Sequence, residues 1–487
     1  MVHLDAGSLT TLPAAVAIPP YDPGAVRPGI VHIGVGGFHR AHEAMYVDRI
    51  LAAGARDWGI CGVGLLPFDA AMRDALRAQD NLYTLVTTAP DGSSSARVIG
   101  SIVEYLYAPD DPERILDRMQ DAATRIVSLT ITEGGYGVDD ATGAFDPQDA
   151  PTLADLDGAS PPRSALGLIV ASLRARRDAG VPPFTVMSCD NIQGNGHIAR
   201  VAVLGFAERV DPDLAAWVAE NVSFPNSMVD RITPATTDET RAFVAAEFGI
   251  DDRWPVRSES FEQWVLEDDF PLGRPPFDDV GVQLVADVEP YELMKLRLLN
   301  ASHQAMSYLG ILAGATFVHE VCTDDLFVSF LRGYMRDEAI PTLRPVPGID
   351  LGEYCDRLIE RFGSEAIRDT LARQIVDGSD RIPKFLLPVI REQLAGEGRI
   401  ARSALVLAAW SVFIERSAAE GYATPAVDRR LGELRAAVAR EAGSPGSFLD
   451  YAPVFGDLGR DERLRAAFVT ARRDLAERGA RDVIAEI

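Results

Sequence analysis

The 487-residue sequence predicts an α/β fold in two parts: a largely parallel open sheet over residues 1–286 and a mainly α-helical domain over residues 287–487. Three observations carry this reading. Short runs rich in Val, Ile, Leu and Thr alternate with helix-like segments through the first part, the pattern of an α/β sheet. Beyond about Val288 the strand signals largely disappear and long amphipathic segments replace them. Hydrophobic residues make up 47% of the chain and its mean hydropathy is near zero, which suits a protein with two well-formed cores.

Taken in order, strands are expected at 30–33, 58–65, 125–132 and 184–188, each short and bounded by Gly, Pro or polar turns. Helices are expected at 41–53, 112–119, 164–179 and 196–209. The polar, Pro/Gly/Asp-rich stretch 139–162 reads as a surface excursion. In the second part the helices are expected at 290–313, 325–337, 351–361, 364–376, 400–418 and 426–441. The boundary between two such domains is a common place for a small-ligand cleft.

The 72 acidic and 47 basic residues leave a net charge of -25, which disfavours nucleic acid and anionic membrane surfaces and favours a small or weakly charged substrate. The first residues lack a basic region followed by an apolar core, and no run approaches ~18 apolar residues, so a cytoplasmic protein without a membrane span is expected. Cys61, Cys189, Cys322 and Cys355 lie far apart, which predicts reduced, mostly buried thiols. His32, His39 and His42 surround a glycine turn, but no acidic ligand completes a metal set in this reading, and no metal is expected.

Gly34-Val-Gly36-Gly37-Phe38-His39-Arg40 follows the apolar run 30–33 and precedes a helical pattern. In a Rossmann-type unit the first glycine makes a tight turn, the second admits a pyrophosphate, and the following helix start stabilises its charge. Here the third position is His39, so the helix must sit differently against the strand. Asp69, just past the second strand, is placed to accept hydrogen bonds from a ribose 2′-hydroxyl and to repel a 2′-phosphate, which favours NAD over NADP. Phe68 beside it is either an adenine-packing ring or a core aromatic. Thr130-Ile131-Thr132-Glu133 and Ser188-Cys189-Asp190-Asn191 stand at the carboxyl ends of strands, the edge at which open α/β sheets bind ligands. Gly34, Gly36, Gly37, Phe38, Arg40, Asp69, Thr132 and Glu133 form the expected cofactor-binding set. Asp190 and Asn191 could equally terminate a strand and cap the next turn.

Chemistry is expected at Lys295, Asn300 and His303, on a segment that is otherwise apolar on more than one side. On an α-helix, Asn300 lies about 140° and His303 about 80° around from Lys295, within one arc. Burial disfavours the charged form of a lysine, which makes a base near neutral pH. Asn300 offers an N–H donor to an oxygen that gains negative charge, and His303 can orient either partner. A structural lysine paired with Glu292 is the alternative. Tyr291 and Lys295 also form Tyr-x-x-x-Lys, the catalytic pair of short-chain dehydrogenases. This chain is about twice the usual length of those enzymes, and the thirteen residues before Tyr291 contain no serine.

Six segments together resemble the polyol-specific long-chain dehydrogenase/reductase family: 32–42, 130–136, 188–191, 223–234, Lys295 with Asn300 and His303, and 377–385. The resemblance implies an N-terminal Rossmann domain, a helical C-terminal domain, no metal and often a monomer. It implies NAD-dependent, metal-independent interconversion of a polyol and a ketose, with D-mannitol and D-fructose as the leading pair. D-arabinitol oxidation at C4, or fructuronate or tagaturonate reduction, is the alternative within the family, and an idle NAD-binding sensor is the alternative outside it. In the implied mechanism Lys295 is the general base, Asn191 and Asn300 form an oxyanion hole, and His303 orients the substrate oxygen. Asp230 and Arg373 would bind the remaining hydroxyls, and Arg381, with Arg373, would meet the carboxylate of a sugar acid.

Overall fold

The computed structural model describes residues 1–139, 142–158 and 160–487. Backbone contacts divide the chain into two compact units, Met1–Ala89 with Ser93–Val288, and Pro90–Gly92 with Glu289–Ile487. The first is built on a five-stranded parallel sheet in the order Ile102–Tyr107, Gly59–Gly64, Pro28–Ile33, Ile126–Leu129, Thr185–Ser188. Four of these are the expected strands. The edge strand Ile102–Tyr107 was not expected, because it is only partly buried and carries Glu104 in place of an unbroken apolar run.

Register explains why the three inner strands are largely apolar. Ile30 pairs with Ile60 and Ile126, Val31 with Cys61 and Val127, and Ile33 with Val63 and Leu129. Both faces of the sheet are covered, so both sides of these strands are hydrophobic. His32, Gly62 and Ser128 form a polar rung across them. Three smaller sheets accompany it among the described residues. Val256–Glu259, Tyr83–Thr88, Ser94–Ile99 and Val16–Ala17 form one, Ser227–Asp230, Gln263–Glu267 and Gln283–Val285 a second, and the parallel pair Val2–His3 with Ile250–Asp251 a third. They contain the antiparallel pairs 83–88 with 94–99 and 227–230 with 263–267. The fold is therefore α/β with a parallel Rossmann-type centre. The expected surface excursion 139–162 holds the short helix Ala150–Leu156 within its described part; 140, 141 and 159 lie outside the described residues.

The second unit is helical. Ala401–Arg416 is buried almost all round and packs against Ala301–Leu312 and Glu462–Arg478. Its first turn is capped by a residue from elsewhere in the unit: the Glu338 carboxylate accepts from Arg402 N at 2.7 Å and Ser403 N at 2.9 Å. Three expectations needed correction. The helix expected at 364–376 is broken at Arg368, whose φ is 50°, and only Leu371–Gln374 is α-helical. The helix expected at 426–441 begins at Leu431, since Asp428 is drawn off to accept from Ser379. Glu462–Arg478 carries so much charge that its thin apolar seam of Leu464, Phe468 and Leu475 was missed. All four cysteines are free and buried. Among the described residues no helix is long and apolar enough to cross a membrane.

Candidate functional site

The first unit carries the glycine turn. Gly34 has φ 98°, and a Cβ there would stand 2.1 Å from the Thr130 carbonyl oxygen, so only glycine fits. At Gly36 and Gly37 a Cβ would make only ordinary van der Waals contact, nothing closer than 3.7 Å, so the protein's own packing does not demand glycine at either. The helix that follows is in two pieces, Gly37–Ala41 and Glu43–Ala52, broken at His42 with φ -122° and ψ -94°. This replaces the single helix expected from 41. Phe38 stacks on His42 at 4.9 Å. Arg40 is buried in the interior, bonded to the Trp254 carbonyl and lying 5.1 Å from the Tyr83 ring centroid. Its Nε and Nη2 are buried with no hydrogen-bond partner among the described residues.

Beneath the turn the polar rung is answered by an acid. Glu43 Oε2 lies 3.0 Å from His32 Nδ1 and 3.2 Å from His39 Nδ1, and Ser128 Oγ donates to it at 3.0 Å. The two imidazoles stack at 3.4 Å, and His32 Nε2 reaches Thr130 Oγ1 at 3.0 Å and the Gly34 carbonyl at 3.2 Å. Burial pushes the Glu43 carboxyl up, but hydrogen bonds from both histidines hold it well below the usual carboxylate range. Burial and the neighbouring His32 bring His39 down to about 4. The expectation that no acid accompanies these histidines is therefore corrected: the donor atoms of His32, His39 and Glu43 lie within 4.8 Å of one another. The spacing of His39 and Glu43, four apart on a helix, was the available signal.

Asp69 opens the helix Asp69–Arg77, and its Oδ2 accepts from Leu65 N at 2.9 Å and Leu66 N at 2.8 Å. Phe68 is 73% exposed, which removes the core-aromatic reading. Thr132 carries φ 62° and ψ 167°, a conformation that costs a non-glycine residue. Glu133 beside it is exposed, as is Asn191 past the last strand of the parallel sheet. Asp190 between strand and Asn191 is buried, and its carboxylate accepts from Ile131 N, Thr132 N and the Tyr136 hydroxyl. Asp230 is buried at the end of its strand, opposite Gln263.

In the second unit, Lys295, Glu292 and His303 are buried and Asn300 is partly buried. The helix is not uniformly α: Glu289–Met294 is α, Lys295–Asn300 is π, and Ala301–Leu312 is α again. The Ala301 N–H accordingly donates to the Leu296 carbonyl, five residues back. In i→i+5 bonding the helix turns less per residue than an α-helix, so residues five apart fall on one face. Lys295 and Asn300 are five apart, so the π turn brings onto one face two residues that a regular α-helix would hold about 140° apart. The wheel angles expected for this segment are corrected on that ground. His303 follows Asn300 by three in the α segment and stays beside it.

Tyr291 is engaged elsewhere. Its hydroxyl donates to the Pro347 carbonyl at 2.8 Å, and burial raises its pKa, so it is neither free nor disposed to ionise. Asn300 Oδ1 and His303 Nε2 are buried with no hydrogen-bond partner among the described residues. Which end of the Asn300 amide is oxygen is an assignment, so this uncommitted end can equally be the donor. Asp369 accepts from Arg373 Nε at 2.7 Å and Nη2 at 2.6 Å and from Gln374 Nε2 at 2.6 Å. Arg381 Nη1 donates to the Gln374 carbonyl at 3.0 Å. Asp369, not singled out in the sequence, thus holds Arg373 through a bidentate pair at helical spacing.

Burial pushes the His303 imidazole down to about 3, against the opposing charge of Asp369. The histidine is therefore neutral near pH 7. The imidazole ¹⁵N shifts of His303 are expected to stay constant from about pH 5 to about pH 9. A titration centred near the ordinary ~6.5 would show that water reaches the ring and that the burial argument is wrong.

These halves match known proteins along nearly the whole chain. The mannitol dehydrogenase Rossmann domain model matches residues 28–279 and the mannitol dehydrogenase C-terminal domain model residues 287–476. A mannitol 2-dehydrogenase of Phaeosphaeria nodorum is 47% identical over 476 residues, 97% of this chain and 83% of that protein. One from Aspergillus fumigatus is 47% identical over 474 residues, 96% of this chain and 94% of its own length. Among solved structures, the Pseudomonas fluorescens mannitol 2-dehydrogenase ternary complex with NAD and D-mannitol has TM-score 0.90 and 43% identity, covering 100% of this chain and 99% of that one. A substrate-free D-sorbitol dehydrogenase has TM-score 0.91 and 40% identity, covering 99% and 100%. With a glycine turn on one unit, a buried lysine on the other and both family models in sequence order, the chain belongs to the mannitol dehydrogenase family.

Proposed function

We propose that this chain is an NAD-dependent polyol dehydrogenase that oxidises the C2 hydroxyl of D-mannitol to the ketone of D-fructose and catalyses the reverse reaction, without a metal. The observation that carries this reading is Lys295, buried on the π turn and sharing a face with Asn300 and His303. The likeness to a structure holding NAD and D-mannitol supports the substrate and cofactor. NAD, when bound, accepts the hydride that leaves C2. Gly36 and Gly37, which the protein's own packing does not require to be glycine, exposed Phe68, and Asp69 with Oδ1 beyond its two backbone bonds fit such a dinucleotide. Lys295 takes the hydroxyl proton. Asn300 and Asn191 donate to the oxygen as its charge grows, and neutral His303 donates from Nε2 to fix its direction. Asp230 and Arg373 bind more distant hydroxyls. Arg373, already paired with Asp369, is a poor partner for a sugar-acid carboxylate, which disfavours the uronate reductases.

The test is NADH formation from mannitol, arabinitol, sorbitol, xylitol, mannonate and altronate, with and without chelator. Fast turnover of mannitol that survives chelation is the expected result. Preference for arabinitol or a sugar acid overturns the substrate, and loss of activity with chelator overturns the metal-free chemistry. Sorbitol is included because of the likeness to a D-sorbitol dehydrogenase.

A further inference from the structure

We propose that Asp190 is a positioning residue that clamps the 130–136 loop and Asn191 in the geometry needed for cofactor binding and hydride transfer. The proposal rests on the reading above of Thr132, Glu133 and Asn191 as site residues. The Asp190 carboxylate is buried between two strand ends. Its Oδ1 accepts from Thr132 N at 2.9 Å, and its Oδ2 accepts from Ile131 N at 3.0 Å and the Tyr136 hydroxyl at 2.7 Å. Its own backbone is fixed as well: the carbonyl accepts from Asn195 Nδ2 at 3.0 Å, and the N–H donates to Ser188 Oγ at 3.3 Å.

A strand-end cap satisfies neighbouring residues on its own chain segment. Asp190 instead commits both oxygens to a loop that leaves a different strand. That loop contains the strain such a clamp must hold: Thr132, with a side chain, occupies φ 62° and ψ 167°, where glycine alone sits easily. The loop and Asn191 both lie at the carboxyl edge of the parallel sheet, where ligands of α/β folds bind. One carboxylate therefore sets the direction of the Ile131 and Thr132 peptides, just before Glu133, and the starting point of Asn191.

The experiment compares the wild type, Asp190→Asn, Tyr136→Phe and the double variant, measuring NADH affinity by fluorescence and mannitol turnover with NAD. An amide of the same size has one acceptor oxygen and turns an NH2 toward N–H or O–H donors. In Asp190→Asn, NADH affinity and turnover should each fall by about 10- to 100-fold. Tyr136→Phe removes one of the donors to the same carboxylate, so it should weaken NADH binding less, and the double variant should fall no further than Asp190→Asn alone. Wild-type behaviour in Asp190→Asn, or losses that add in the double variant, would overturn the proposal. Should Asp190→Asn not fold, Tyr136→Phe alone decides: weaker NADH binding supports the clamp, and wild-type affinity overturns it. If the wild type binds NADH but oxidises no polyol, the functional reading fails, and the NADH arm still tests the clamp.

Discussion

Lys295→Ala is expected to lower turnover of mannitol by about 100- to 10,000-fold, the range over which a positioned proton-transfer group contributes, while leaving NADH binding close to normal. The two halves of this result separate base from scaffold. Lys295 lies in the helical unit and the glycine turn in the other, so truncating the lysine leaves every residue of the proposed dinucleotide-binding turn in place. The control is Tyr291→Phe. Its hydroxyl bonds to the Pro347 carbonyl, so its loss should cost a little stability and leave turnover within a few-fold of normal, on the order of one hydrogen bond. Near-normal turnover in Lys295→Ala together with collapse in Tyr291→Phe would reverse the assignment and make the tyrosine the base.

Asn300→Ala should lower turnover by about 100- to 1,000-fold, the usual effect of removing one donor from an oxyanion site. The amide has one end buried and uncommitted, one helical turn from an equally uncommitted His303 Nε2. Alanine keeps the helix, and its smaller side chain removes the donor without adding bulk. The loss should appear in the turnover number more than in KM, because the donor acts on charge that develops only in the transition state. Asn191→Ala, made in parallel, should fall in the same range. If Asn300→Ala changes KM alone, its amide binds substrate without stabilising the oxyanion.

Much of this was legible from the residues. The strands at 30–33, 58–65, 125–132 and 184–188 were visible because a parallel strand covered on both faces is an unbroken apolar run. Gly34 was legible as the first glycine of a turn, and its positive φ bears that out. The hidden features depended on partners distant in sequence. Glu43 looked like an ordinary helical acid until register placed Ser128 and His32 on one rung above it. Asp190 looked like a turn former because the amides it holds come from about sixty residues earlier. The break at Arg368 carries no Gly or Pro to announce it. Composition likewise gives no sign of the π turn. The only hint was a lysine and an asparagine five apart, a spacing that an α-helix does not place on one face.

That turn makes the proposed active face a matter of counting. A π segment is a helix carrying one residue more than its α-helical neighbours would allow, and the excess is held by the ladder that ends with Ala301 bonding to Leu296. Within such a helix the side chains supply the chemistry, and the π turn absorbs the extra residue that would otherwise put them out of phase. Removing any one residue between 296 and 299 would let the ladder relax to the commoner α form and leave Lys295, Asn300 and His303 all present. They would then stand at i, i+4 and i+7, the spacing of one α-helical face, so the face would survive the loss. Straightening the ladder with the residue kept would instead hold Lys295 and Asn300 about 140° apart, and the motif would remain without the site.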